Sequence, residues 1–173
     1  MGKYCTLPAI ASKLHVKVEE RTAKLEKLSN KSEFNRIEKG DTKLGIITSG
    51  ISYCHAKEVF PNASFLKIGM SWPFPTELFK KFAGMVEKVV VIEENDPFLE
   101  MAVKAAGIEC IGKDRIPMCG ELNPDIIHNA LKEFSDKPTP KTAKLVSGVK
   151  IPVRPPVLCP GCPHRGVFFT LRK

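Results

Sequence analysis

An open three-layer α/β/α domain with a mostly parallel sheet is what this sequence predicts, and three observations predict it. Short, nearly continuous apolar runs at 44–48, 64–68 and 89–92 alternate with helical stretches. Alternating strands and helices of this length imply βαβ units and a parallel sheet. The runs lack the polar alternation of a half-exposed strand, as expected where helices cover both faces. Gly, Pro, Asn and Ser punctuate the joints between them.

Residues 8 to 30 read as a helix: Pro8 suits a first turn, and the stretch after it is rich in Lys, Glu, Leu and Ala. Its apolar series, Leu14, Val18, Leu25 and Leu28, is thin and interrupted by Arg21. A thin stripe on a charged helix suits packing against a partner surface or another domain. Residues 31 to 42 are largely polar and close with the turn signal Gly40-Asp41. The first strand, 44–48, is stopped by Ser49-Gly50, and a helix follows from about Ser52 to Phe60. A second strand spans 64–68, then a Pro-rich loop, Trp72-Pro73-Phe74-Pro75, leads to a helix over 76–85. Val89-Val90-Val91-Ile92 is β-branched throughout and is the clearest strand. A helix over 97–106 has Pro near its start and Gly107 after its end, and Glu109-Cys110-Ile111 reads as a weaker strand. Asn123-Pro124-Asp125 caps a last helix reaching about Phe134, since Asn accepts from free amides, Pro fits the first turn and Asp suits the positive end of the dipole. Prolines at 138, 140, 152, 155 and 156 make 135–157 an extended linker. Residues 158 to 173 open with a cysteine motif and continue as a helix over 166–173, too short to hold a core.

Composition bounds the function. With 43% hydrophobic residues in 173, the chain can bury one core of ordinary size. No apolar run is long enough to span a bilayer, and Met1 to Pro8 has no signal-peptide core, so a cytoplasmic location is expected. The net charge is +8, yet the lysines are spread over helix faces without interleaved aromatics. Solvated faces or an acidic partner fit that pattern better than nucleic acid.

Several stretches carry candidate chemistry. Thr48-Ser49-Gly50-Ile51-Ser52 lies where a strand's carboxyl end meets a helix. The favoured reading is a tight turn capped by serine; an anion site at helix amides is the alternative. No glycine-rich nucleotide motif is present. Glu93-Glu94-Asn95-Asp96 sits at the same edge. Acid–base work or Mg²⁺ binding is one reading; the favoured one is capping, with Asp96 before Pro97 as N-cap. Cys54 and His55 are helix neighbours pointing about 100° apart, which argues against a nucleophile–base pair. His15 and His128 are lone helix histidines, and the Trp72 loop suits burial or subunit contact.

Cys159-Pro160-Gly161-Cys162 is the most specific feature. Without a secretory signal, C-x2-C reads as metal-binding or redox-active rather than as a structural disulfide. Cys159 and Cys162 are the candidate metal ligands, for zinc or an iron–sulfur cluster, with inert turn cysteines as the alternative. His164 is a possible third ligand, though crowded against Cys162. No later cysteine comes after the pair, so it reads as half of a site and the chain as a piece of something longer.

These motifs carry a resemblance. Lys43 through Tyr53, Val91-Ile92-Glu93-Glu94 with Asp96 through Glu100, Gly120 through Ile126, and Arg154-Pro155-Pro156 through Arg165 occur in one order. As an ordered set they resemble the alpha subunit of indolepyruvate:ferredoxin oxidoreductase, in the 2-oxoacid:ferredoxin oxidoreductase superfamily. The resemblance implies that 1–42 is an N-terminal helical connecting segment and that 43–134 is a domain like the transketolase C-terminal domain. It implies that 135–157 is a linker and 158–173 the start of a thiamine-diphosphate (pyrophosphate)-binding domain. Such enzymes oxidatively decarboxylate aryl pyruvates with CoA to an aryl-acetyl-CoA, CO2 and reduced ferredoxin, using thiamine diphosphate, Mg²⁺ and 4Fe-4S clusters. A beta subunit and ferredoxin are the implied partners. Carried onto this chain, Cys159 and Cys162 correspond to two cluster ligands. The motif holding Mg²⁺ and diphosphate, the pyrimidine-binding domain and the ferredoxin cysteines have no counterpart in these residues, so the chain by itself is expected to be inactive. The competing expectations are a stand-alone metal-binding module and a split subunit completed by separate partners.

Overall fold

The structure is a computed structural model that describes residues 6–135, 152–153 and 157–172. The chain divides into two compact units, Met1–Pro140 and Lys141–Lys173.

The first unit is built on a four-stranded sheet in the order β1-β3-β2-β4. Its strands are β1 (Arg36–Glu38), β2 (Asp41–Ser49), β3 (Ala63–Ile68) and β4 (Lys88–Ile92). β2 pairs in parallel with β3 and with β4, and β1 is antiparallel to β3. The helices are α1 (Pro8–Ser29), α2 (Gly50–Val59), α3 (Thr76–Ala83), α4 (Phe98–Ala105) and α5 (Pro124–Ala130). The mixed, mostly parallel open sheet agrees with the fold class read from the apolar runs.

Burial on both faces explains those runs. Ile46 lies opposite Phe65 and Val90, and this row packs with Ala56 and Val59 of α2 and Ile127 of α5. The next row, Ile47, Leu66 and Val91, turns the other way and packs with Phe79 and Phe82 of α3 and Leu99 and Val103 of α4. Successive strand side chains alternate between faces, so each run needs apolar residues at every position. Three layers result.

The winding places a crevice at one edge of the sheet. β2 leads through α2 to β3 on one side, whereas β3 leads through α3 across to β4 on the other. The outgoing connections of the neighbours β2 and β4 therefore diverge, which leaves a gap at their carboxyl ends.

Three elements differ from the expectation. The polar 31–42 stretch contains β1, whose edge position needs no apolar run. It is held down by Glu38, which accepts from the Tyr53 hydroxyl at 2.9 Å and pairs with Lys57 at 3.3 Å, both on α2. The strand expected at Glu109-Cys110-Ile111 shrinks to one parallel bridge, in which Ile111 exchanges hydrogen bonds with Val89 and Val91. The next residue is Gly112, where a side chain would collide with the buried Glu100 carboxylate. The last helix stops at Ala130 and continues after Leu131 as a 3-10 turn, Lys132–Phe134. As expected, the Asn123 side chain accepts from Ile126 N at 2.9 Å.

Helix α1 exposes almost all its length, and of its residues only Ser29 is buried. Its end is fixed to the domain by Asn35. That amide donates to Ser29 O, Ser29 Oγ and Met70 O at 3.0–3.1 Å and accepts from Gly69 N and Met70 N at 2.9 and 2.8 Å. Asn30 adds a bond from Leu78 N at 3.0 Å.

Cys110 sits beside the single bridge, half-buried, and burial pushes its thiol from the usual 9.0 to about 11. Lys104 opposes that rise only in part. Two units less acidic means about 100-fold less thiolate at pH 8, and the thiolate is the nucleophile. Alkylation followed by peptide mapping at pH 8 should therefore modify Cys110 about 100-fold more slowly than an exposed ordinary thiol. Equal rates for Cys110 and the exposed Cys54 would contradict this placement.

The second unit holds α6 (His164–Arg172), two residues longer at its start than expected, with no buried residue. The Pro-rich linker falls almost wholly outside the described residues; Pro152 and Val153 have no regular structure and are exposed. Among the described residues, no helix is long and apolar enough to cross a membrane.

Candidate functional site

The crevice at the carboxyl ends of β2 and β4 is the candidate site. It encloses about 460 Å³ between the β2–α2 turn (Ser49, Gly50, Ile51, Ser52) and the β4–α4 loop (Glu93 to Asp96), with Phe98, Leu99 and Ser71 at its margin. Gly50 enters α2 at φ +55, a conformation open to glycine without a Cβ penalty. Ser49 occupies the N-cap position, but its side chain makes no capping hydrogen bond, contrary to the expected serine cap.

Thr48, the preceding residue, is fully buried, and its hydroxyl has no hydrogen-bond partner. A buried unpaired hydroxyl costs about 1–3 kcal/mol, and removing it in an isosteric residue can stabilise. Thr48→Val is expected to raise stability by about 1 kcal/mol in urea denaturation. A loss of stability would show that the hydroxyl has a partner in solution.

The acidic cluster is organised differently from the local expectation. Asp96 does not cap α4: the N-cap position falls on Pro97, with no side-chain bond. Glu93 caps it instead. Its carboxylate accepts from Leu99 N at 2.7 Å and from Glu100 N at 2.9 Å, reaching back over the loop. Asn95, at φ +55, makes the bend that allows this, and Asn tolerates the left-handed region better than most residues. Glu94 accepts from Leu122 N at 3.1 Å and ties the loop to the segment before α5. Lys113 donates to Glu93 O at 2.5 Å, and Glu100 accepts from Lys113 N at 2.7 Å and Lys104 Nζ at 2.6 Å. Glu93 and Glu94 are thus committed to main-chain amides, and the capping reading holds with Glu93 in the role given to Asp96.

Burial pushes the Glu93 carboxyl above its ordinary range, although the Leu99 and Glu100 amides and the Lys113 charge pull it back. The sign comes from linkage. A raised folded pKa means that the folded state binds the proton more tightly, so the Glu93 contribution is most favourable on the acid side and is lost as pH rises through the folded value. Glu93→Gln removes this slope. Measured from pH 5 to 8, wild-type stability should fall relative to Glu93→Gln as pH rises; a constant difference would refute the assignment.

The other sequence candidates stay apart from the crevice chemistry. Cys54 is exposed while His55 is half-buried, as their divergence on α2 requires. His15 faces solvent and pairs with Glu19 at 3.0 Å, and His128 is buried in α5. Trp72 is 61% exposed and meets Phe74 edge-on at 5.2 Å, and Phe74 lies tilted against Phe98, 4.8 Å centroid to centroid.

In the second unit Cys159 and Cys162 flank a turn. Cys162 N donates to Cys159 O at 3.0 Å, and Gly161 has φ +76. Pro then Gly at the central positions, with positive φ on the Gly, defines a type II turn. Cys162 Sγ lies 3.4 Å from His164 Nδ1, and Arg165 reaches Leu158 O at 3.0 Å. Two thiols and an imidazole suit a soft metal or a cluster. Among the described residues, however, no group of three or more ligand side chains comes together. The donor chemistry fits half of such a centre.

Fold and crevice together define a class: an open, doubly wound α/β domain with its candidate site at a topological switch point. The same fold occurs in the 2-oxoglutarate:ferredoxin oxidoreductase from Magnetococcus marinus, solved with 2-oxoglutarate, coenzyme A and succinyl-CoA bound. The match has a TM-score of 0.54 at 23% identity, over 75% of this chain and 24% of that one. No family model matches the sequence. The indolepyruvate oxidoreductase subunit IorA of Archaeoglobus fulgidus is 38% identical over 96% of the chain, and that of Pyrococcus horikoshii 36% identical over 99%. The chain is thus a relative of the indolepyruvate oxidoreductase IorA subunits along nearly its whole length, as the ordered motifs indicated. It spans 29% of the length of each of these two relatives.

Proposed function

We propose that the chain is the middle-domain segment of an indolepyruvate:ferredoxin oxidoreductase alpha subunit. The observation that carries this is similarity to IorA over 96–99% of the chain. The 29% share of those relatives supports reading it as one internal segment of a longer subunit. The parent reaction is the oxidative decarboxylation of an aryl pyruvate with CoA, giving an aryl-acetyl-CoA, CO2 and reduced ferredoxin. It takes place in the cytoplasm, with a beta subunit as partner and without nucleic acid.

In this reading residues 43 to 134 act as scaffold and subunit contact. Glu93, Glu94, Lys113 and Glu100 hold the β4–α4 loop in one shape, so the crevice edge meets neighbouring domains as a preorganised surface. Thiamine diphosphate with Mg²⁺ would supply the carbanion chemistry when bound by the rest of the subunit. Cys159 and Cys162 would give two thiolates to a 4Fe-4S cluster, the type II turn holding them on one side of the chain. The remaining ligands lie elsewhere in the subunit.

The test is indolepyruvate- and CoA-dependent reduction of ferredoxin. The chain alone should be inactive. The subunit extended by the flanking coding sequence, assembled with its beta subunit, should be active. Activity of the isolated chain would overturn the scaffold reading, and an inactive extended complex would overturn the assignment.

A further inference from the structure

We propose that α1 is a docking helix whose apolar seam, bordered by cations, takes an amphipathic partner helix flanked by carboxylates. The inference goes beyond the enzyme assignment, because α1 lies outside the scaffold segment 43–134 and its binding is read without activity.

A protein helix gains most of its stability by packing an apolar face. α1 has 22 residues, and only Ser29 is buried. It nevertheless has such a face. Ala11, Leu14, Val18, Arg21, Leu25 and Leu28 follow one another at alternating steps of three and four. That is the a/d spacing of a helix–helix seam. At 100° per residue, Ala11, Leu14, Val18 and Leu25 fall within about 60° of the helix surface. Leu14 and Leu25 are half-exposed, and Val18 and Leu28 are exposed.

The charge in and beside this seam is positive. Arg21 lies within it, and the flanking e and g positions hold His15, Lys17, Thr22 and Lys24. His15 is engaged by Glu19 at 3.0 Å. Lys17, Arg21 and Lys24 have no ion-pair partner among the described residues. The carboxylates Glu19, Glu20 and Glu26 fall at b and c positions, farther round the helix.

These cations select the occupant. A second copy is disfavoured: parallel seams would set Arg21 against Arg21, and antiparallel seams would bring the two Lys17–Lys24 edges together. A membrane surface calls for a broad apolar face, and Arg21 interrupts this one. Carboxylates flanking a partner's seam would meet Lys17 and Lys24 and give Arg21 a counter-charge as the seam closes. The net charge of +8 agrees with an acidic partner.

The probe is a synthetic three-heptad peptide with Leu at a and d and Glu at e and g; its twin carries Lys at e and g. Each is labelled and titrated with the full 173-residue chain by fluorescence anisotropy at low ionic strength. The Glu-flanked peptide is expected to bind about tenfold more tightly than its twin, and the preference should shrink in about 0.5 M salt. Lys17→Glu combined with Lys24→Glu should invert the preference. Val18→Asp should abolish binding while the urea unfolding of the first unit stays unchanged. Equal affinity for the two peptides, binding of neither, or binding that survives Val18→Asp would overturn the proposal. A chain dimer in analytical ultracentrifugation that Val18→Asp abolishes would overturn it in favour of a second copy. Tighter binding to phosphatidylserine vesicles than to the Glu-flanked peptide would overturn it in favour of a membrane surface.

Discussion

Asn35→Asp is expected to destabilise the first unit by about 3–5 kcal/mol at neutral pH. The Asn35 side chain is buried, with both ends of its amide in use. Its oxygen accepts from Gly69 N and Met70 N, and its nitrogen donates to Ser29 O, Ser29 Oγ and Met70 O. A carboxylate keeps the first two bonds, can hold Ser29 Oγ only by accepting from it, and loses the bonds to the Ser29 and Met70 carbonyls. It also faces two carbonyl oxygens with a negative charge out of water. The new carboxyl should have a folded pKa raised above its unfolded value. The damage is then smallest at acid pH, where the group is protonated, and grows as pH rises through the folded pKa. Urea denaturation of variant and wild type at about pH 4 and pH 7.5 reads this directly. A deficit below about 1 kcal/mol at the higher pH would show that the hub does not anchor α1.

Phe65→Ala should cost about 3–5 kcal/mol at any pH between 5 and 8. Phe65 is fully buried at the centre of β3, opposite Ile46 and next to the edge strand. Tyr53 meets its ring edge-on at 5.8 Å, and Lys57 lies over it at 4.6 Å. The truncation leaves a cavity between sheet and α2 and removes the support of the two side chains that hold Glu38. Phe98→Ala is the contrast. Phe98 is 47% exposed at the margin of the crevice, and its loss should stay within about 1 kcal/mol. Comparable losses for the two would contradict the assignment of Phe65 to the core.

The resemblance read from ordered motifs reached the right relatives, and the apolar runs reached the right fold. The site was legible only in part. Thr48 to Ser52 and Glu93 to Asp96 stand out in the sequence because each lies at the carboxyl end of a strand, and the structure brings Ser49 to Ser52 and Glu93 to Asp96 to one crevice. Their internal roles were not legible. The local rule that the residue before a first-turn proline caps the helix selects Asp96. The bend at Asn95 swings Glu93 over the amides of Leu99 and Glu100 instead, six and seven residues onward. Strand β1 gave no signal because an edge strand with one covered side can be Arg-Ile-Glu, and what secures it comes from α2.

By itself the sequence determined whatever depends on near neighbours along the chain. The order of strands and helices comes from apolar periodicity, the Asn123 cap from one side chain and an amide three residues on, and the Cys159–Cys162 turn from the φ preferences of Pro160 and Gly161. Only the tertiary structure decided the sheet order, the capping carboxylate and the Asn35 hub that joins Ser29 to Met70. These arrangements place polar groups from distant parts of the chain within about 3 Å of each other. Their geometry exists only after the apolar layers have closed the loops between them, and no local pattern of residue types records which partners that closure brings together.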